Sequence, residues 1–395
     1  MVQRGTVLYL SIFLFFFHSS VTIISSFLPV YFQDKELTGT QIGWLLAIGP
    51  FTSLFAQPFW GYMSDKYKTV KNVLLLCLVG LIVSSIVLFQ MNSFASLIVL
   101  CGVFFSFMAP IGALGDSLAQ KVSQLADTSF GRIRMWGSIG FAVTSIIGGW
   151  ILFQIGIDRL LYVYLIFAFA SLVIVLRVSD IESAAKPVSI RGAVKVVSQP
   201  RLLLFLFFIL FLTIPHRAND SFIGLYIKEL GGSESLIGAA WFVGVAVEAF
   251  VFLLSAYWMR WFSEITFIII ASGLYGLRWL LFSGADSAME IIFYQAMHGV
   301  TFGIFYLCAF QFVTRLVPDE FRATGQLFFI SVFFGLSGII GSLGGGMIFD
   351  QSGGDSMYRI LSYAAFAGCI GFITYDAYLR KKKNVPGGVL YKKGM

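Results

Sequence analysis

The sequence predicts an all-α membrane protein of twelve transmembrane helices arranged as two six-helix halves, and three observations carry that prediction. Apolar runs of about 20 residues recur from one end of the chain to the other, the length a helix needs to cross a hydrocarbon core. Only 12% of the 395 residues are charged while 58% are hydrophobic, about half the usual charged share of a soluble protein. The longest polar interval falls near the middle, dividing the runs into six and six.

The spans are read at about 6 to 31, 41 to 62, 72 to 91, 94 to 119, 133 to 155 and 159 to 177 in the first half, and at about 202 to 228, 234 to 260, 263 to 283, 287 to 315, 323 to 349 and 357 to 380 in the second. Each must be a helix, because lipid offers no partner to an unpaired backbone group. The first run is read as a span and not a cleaved leader, since no small-residue cleavage site precedes the polar stretch from Gln33 to Glu36. Residues 1–178 form the first half, 179–200 a cytoplasmic linker containing Asp180, Glu182, Lys186, Pro187 and Arg191, 201–380 the second half and 381–395 a basic tail.

Loop charge sets the orientation. Lys66, Lys68, Lys71, Lys121, Arg132, Arg177, Arg201, Arg260, Arg315, Arg322 and the run from Arg380 to Lys383 collect on one side, whereas the other holds only Lys35, Arg159, Lys228 and Arg359. Both termini are therefore expected in the cytoplasm, and the net charge of +7 reflects topology, not nucleic-acid binding. Cys77, Cys101, Cys308 and Cys369 fall inside spans without the spacing of a metal or redox site. No metal and no cofactor is expected, nor is a nucleophile-base cluster present that would make the chain an enzyme.

Two six-span halves around a central site are the architecture of secondary transporters. The informative residues are then the ionisable groups inside spans, each costing at least about 2.5 to 3.5 kcal/mol at a helix centre unless paired, wet or functional. Asp116 lies in span four, and Arg132 and Arg134 open span five; an acid and an arginine on adjacent helices can pair or hold a polar solute. Span seven interrupts an apolar run with Pro215, His216, Arg217, Asn219 and Asp220, which call for a wet cavity. Glu248 in span eight, Arg278 in span nine, and Gln295 and His298 in span ten complete the set. A histidine, a carboxylate and an arginine can exchange partners as a proton arrives, which makes the proton the expected coupling ion. His18, alone in span one, ranks below these.

Between spans two and three, Gly61, Asp65 and Lys66 form a glycine turn with an acid followed by a base, able to latch helix ends; Gly131 and Arg132 stand at the matching position before span five. The corresponding loop of the second half, near Tyr257 to Glu264, keeps only Arg260. With these segments in hand, together with Phe13 to Phe17, Gln57 to Lys66, Gln120 to Ser123, Phe130 to Gly140, Leu277 to Trp279 and His298 to Gly303, the chain resembles the lactose permease and phenylpropionate permease branch of the major facilitator superfamily over nearly its whole length.

That resemblance implies that Asp116 and Arg134 grip a hydroxylated or charged solute, that Phe141 stands where the branch has a stacking tryptophan, and that Glu248, Arg278 and His298 form a proton and binding network. Asp220 falls on an acidic position of the branch, and Thr301 on the position of its acidic proton carrier. Arg217, where the lactose permease has an acid, suits an anionic solute. His216, Arg217, Asn219, Asp220, Arg278 and Gln295 are expected near the solute, with Asp220, Glu248 and His298 moving the proton. The expected activity is proton-coupled symport by a monomer in the plasma or inner membrane, its partners being lipids, protons and a small solute. A sugar or oligosaccharide comes first, an aromatic acid or nucleoside next. An efflux carrier of the same fold and a receptor without transport are the alternatives.

Overall fold

In the computed structural model, residues 4–180, 198–318 and 321–383 are described, and every regular element among them is helical. The linker residues 181–197, with Glu182, Lys186, Pro187, Arg191 and Lys195, and the tail residues 384–395 lie outside the described residues.

Serine and threonine set where helices begin. Thr38, Thr69, Ser93, Ser129, Ser263 and Ser287 each accept a backbone N–H from the first turn that follows, satisfying a donor that the helix leaves unpaired. The first-half helices are α1 (Arg4–Asp34), α2 (Gly39–Lys66), α3 (Val70–Leu88), α4 (Phe94–Leu125), α5 (Phe130–Ile155) and α6 (Leu160–Arg177). In the second half come α7 (Pro200–Glu229), α8 (Glu234–Leu253), α9 (Glu264–Ser283) and α10 (Ala288–Leu316), the last containing a π-helical turn at Gly299–Gly303. The final helical stretch, α11, spans residues 322–383.

Eleven of these helices are long and apolar enough to cross a membrane. Where two spans are expected, at 323 to 349 and 357 to 380, the structure has one continuous apolar stretch of 58 residues, Thr324–Lys381. Straight, it would reach about 87 Å, nearly three times the hydrocarbon thickness. It is not straight: Gly353 has φ 77° and ψ 175°, outside helical space and in a region open to glycine. This residue divides α11 into a first arm, 322–352, and a second arm, 354–383, and the Glu229 carboxylate accepts the Gly354 N–H at 3.0 Å where the second arm starts.

Several helices outrun their expected spans. Thus α4 continues through Gln120–Ser123 to Leu125, because apolar length sets the crossing while backbone hydrogen bonding sets the helix end. Large apolar side chains cover the outside, Leu253 and Phe293 each 76% exposed, as a lipid-facing surface requires and a water-facing one would not tolerate.

Within the first half, α1 packs on α4, α5 and α6, and α3 on α4 and α6; in the second, α7 and α9 pack on α11, and α8 and α9 on α10. The halves meet along α2 with α11, α5 with α8, and α1 with α7. These contacts are backbone-close at glycines. A Cβ on Gly43 would strike the Ser342 carbonyl, and one on Gly238 the Ser145 carbonyl. In lipid, where apolar side chains gain little by leaving their surroundings, small residues let helices associate by close approach. The close contacts at Gly43 and Gly238 lie toward the face where α2 and α8 begin and α5 and the first arm end, the face poor in Lys and Arg. Asp350 reinforces them by accepting the Gly39 N–H at 2.5 Å and the Thr40 N–H at 2.8 Å across the halves.

Candidate functional site

Between the halves lies a cavity of about 650 Å³, a volume that holds a small organic solute. Its wall draws on both halves: Phe17 and His18 of α1, Gln57 of α2, Phe141 of α5, Arg217, Asp220 and Ser221 of α7, Trp241 of α8, and Phe334 and Ser342 of the first arm. Phe141 and Trp241 meet edge to face, centroids 5.9 Å apart, where α5 crosses α8.

The polar run of α7 separates onto two faces, as helical spacing dictates. Arg217, Asp220 and Ser221 face the cavity. His216 and Asn219, 3% and 0% exposed, point into the second half, where His216 Nδ1 lies 3.1 Å from the Tyr275 hydroxyl and Asn219 Oδ1 accepts from Tyr358 at 3.0 Å. The wet cavity thus receives only part of the set, and tyrosine hydroxyls satisfy the rest. Arg217 Nη1 donates to Asp220 Oδ2 at 2.7 Å, and His216 Nε2 lies 3.6 Å from the same oxygen. The charge that would suit an anion is therefore already matched by Asp220.

Behind this wall sits a second buried group. Arg278 is fully buried, donating from Nη2 to Gln295 Oε1 at 2.6 Å and from Nη1 toward His298 Nδ1 at 3.3 Å and Thr301 Oγ1 at 3.4 Å. The guanidinium also stacks on Trp279 and Phe282. On its other side His298 Nε2 faces Glu248 Oε2 at 3.6 Å. The π turn makes this possible: Gly299 lies so close to the backbone of Val247 and Glu248 that no Cβ would fit, and such turns recur at functional sites. The His216 and His298 rings stack at 5.4 Å, joining the two groups into one line from Glu248 through both imidazoles to Asp220 and Arg217. Arg278, Gln295, Glu248 and His298 do not line the cavity.

Asp116 and Arg134 are together, their ion pair 3.0 Å long between α4 and α5 and 41% and 32% exposed. They also lie outside the cavity lining; Gly112, one turn before Asp116, is on it. Next to them is His18, which shares with Arg134 the space beside Gly137. His18, ranked low from sequence, stands on the cavity wall, as do Gln57 and Trp241, which sequence reading passed over. A buried Tyr needs a partner for its hydroxyl, a signal that would have found Tyr275 and Tyr358.

Gly61, Asp65 and Lys66, expected in a loop, fall instead in the last turns of α2. The chain turns later, at Lys68 with φ 52°, because Thr69 caps α3 and nothing from Pro58 to Lys66 breaks the helix. Gly131 and Arg132 occupy the first turn of α5. A Cβ at Gly61 or Gly131 would meet open space, so packing does not demand glycine at either in this state. In the second half Arg260 stacks on Tyr257 at 4.5 Å, and Arg315 pairs with Glu264 at 2.6 Å.

The MFS_1 like family matches residues 7–360. The chain belongs to the major facilitator superfamily. Among its relatives, a maltose permease of Geobacillus stearothermophilus is 27% identical over 371 residues, covering 93% of each chain, and a probable 3-phenylpropionic acid transporter of Escherichia coli (strain K12) is 25% identical over 328 residues, 81% of this chain and 84% of that one. The crystal structure of the nucleoside transporter NupG superposes with a TM-score of 0.86 at 17% identity, over 95% of this chain and all of that one. This major facilitator is thus a multi-pass membrane protein and a secondary transporter, not an enzyme.

Proposed function

We propose that this major facilitator imports a small, uncharged polar solute together with a proton. The observation that carries the reading is the cavity wall: Arg217 is neutralised by Asp220 at 2.7 Å, while Phe141 and Trp241 offer aromatic faces between the halves. A charge-balanced pocket with aromatic walls favours a ligand that combines hydroxyls with an apolar face. Sugars come first and nucleosides next, which agrees with the names of the maltose permease and of NupG. An aromatic acid ranks lower, because the cavity's cation already has its anion. Asp116 and Arg134 would reach the solute once the halves rearrange.

We take the two arms of α11 as separate crossings, twelve in all, with both termini on the Lys- and Arg-rich side in the cytoplasm. The halves, 1–178 and 201–380, would rock about the cavity, with 179–200 as linker and 381–395 as tail. With the contacts gathered at the opposite face, the described state opens inward. The carrier works as a monomer in the plasma or inner membrane and needs no cofactor besides the proton.

Uptake of labelled maltose and uridine into proteoliposomes, with and without an inward proton gradient, tests the reading. Accumulation that collapses with a protonophore is expected. Equal rates with and without the gradient refute it.

A further inference from the structure

We propose that His216, and not His298, is the imidazole that takes up the proton, and that Arg278 is a positioning residue that locks His298 in one neutral form. This deepens the proton-coupled reading and rests on it.

The argument comes from counting donors. Arginine carries donors only, so His298 Nδ1, facing Arg278 Nη1 at 3.3 Å, must be the bare, accepting nitrogen. The ring proton then sits on Nε2, aimed at Glu248 Oε2 at 3.6 Å. A second proton on His298 would set N–H against N–H beside a fully buried guanidinium, which also donates to Gln295 and Thr301 and stacks on Trp279 and Phe282. Buried between these partners, Arg278 keeps its donor on Nδ1, so His298 stays neutral with its ring proton directed at Glu248.

His216 faces a partner that can reverse. Its Nε2 points at Asp220 Oδ2, and its Nδ1 faces the Tyr275 hydroxyl at 3.1 Å. A hydroxyl both donates and accepts, and the Thr301 hydroxyl lies near that of Tyr275. When Nδ1 gains a proton, the Tyr275 O–H turns to Thr301 and its oxygen accepts from the ring. Asp220 on the same helix balances the new charge, shared with Arg217 at 2.7 Å. Among the described residues, His216 also meets Phe302 and His298 of α10 and Phe333 of the first arm, stacked or edge-on, with Arg278 as a further cation nearby. Because His298 is held neutral, the stacked ring adds no charge against protonation of His216. The proton therefore arrives beside Asp220, on the cavity wall, where it loosens the Asp220 to Arg217 pair and lets both side chains turn their polar atoms to the hydroxyls of an uncharged solute.

The chain has three histidines, few enough for nitrogen-15 NMR of histidine-labelled full-length protein in nanodiscs, with each signal assigned by a single substitution. His18 donates Nδ1–H to the Leu14 carbonyl at 2.9 Å and supplies the opposite neutral tautomer as a reference. Between about pH 5 and 8, the two ring nitrogens of His216 are expected to converge on imidazolium positions, while His298 keeps the split pattern of the Nε2–H tautomer. Convergence of His298 with Arg278 intact, or a His216 that stays neutral throughout, overturns the proposal. Arg278→Gln should make His298 titrate; a His298 that remains neutral in that folded variant removes Arg278 as the lock, and should the variant not fold, the wild-type titration decides alone. Gradient-independent uptake by the wild-type carrier would instead refute proton coupling, whatever the histidines do.

Discussion

Removing the Asp350 carboxylate should shift the carrier away from the state described here. Asp350 joins the first arm of α11 to the start of α2 through two backbone N–H groups, Gly39 at 2.5 Å and Thr40 at 2.8 Å. Thr38 caps the same helix from its own half through the Gln41 N–H, so Asp350→Ala leaves α2 formed and removes only the link between halves. A helix cap is worth about 0.5–2 kcal/mol, and hydrogen bonds to a charged group about 1.5–3 kcal/mol. A loss of about 1.5 kcal/mol from one conformation alone moves the population ratio roughly tenfold. Spin labels at Gln33 and Gln351, both exposed on this face, in a background lacking the four native cysteines, report the separation by double electron resonance. The long-distance population should rise by that factor in Asp350→Ala and by less in Asp350→Asn, which keeps one acceptor. A distance distribution identical to that of the unmutated carrier would show that the glycine contacts alone hold the face shut.

Three further outcomes are expected. Asp220→Asn leaves Arg217 and His216 without their carboxylate, so gradient-driven accumulation should be abolished while solute binding, read by thermal shift, falls less; surviving accumulation would remove Asp220 from the proton path. Trp241→Ala takes an aromatic wall from the cavity and should weaken solute affinity about tenfold, consistent with about 0.5–1.5 kcal/mol for an aromatic pair beyond its buried area; retention of full affinity would place the solute elsewhere. Arg134→Lys keeps the charge but loses the fork that meets Asp116, and solute affinity should fall; unchanged affinity in equilibrium binding would assign the pair to holding α4 against α5.

Apolar length and loop charge made the helices legible, and the cost of charge in lipid pointed to the residues of α7 through α10. What remained hidden depended on which way side chains face. Arg217 and Asp220 share a helix face three residues apart, while His216 and Asn219 share another, yet only the neighbouring tyrosines of α9 and the second arm reveal which face is wet. The spans ending at 349 and starting at 357 bracket the break in α11, but only the positive φ singles out Gly353 within that interval. Asp116 and Arg134 were recognisable as a pair, since both are costly inside spans, but not as lying beyond the cavity lining. His18 looked solitary along the chain and gains significance only from Arg134, brought beside it by the packing of α1 on α5.

The charges buried along the line from Glu248 to Arg217 also bear on how the cell's voltage acts on this carrier. Counting Arg217 and Arg278 as positive, Asp220 and Glu248 as negative and both histidines as neutral, as the proposed cycle has them, the set sums to zero. An empty carrier with that balance turns between its two faces without electrical work. With one proton aboard it carries a single positive charge, which a membrane negative inside pulls inward with about 2.3 kcal/mol per 100 mV. The proposed cycle is therefore electrogenic in its loaded half alone, so depolarisation should slow entry of the solute and leave the return of the empty carrier unaffected.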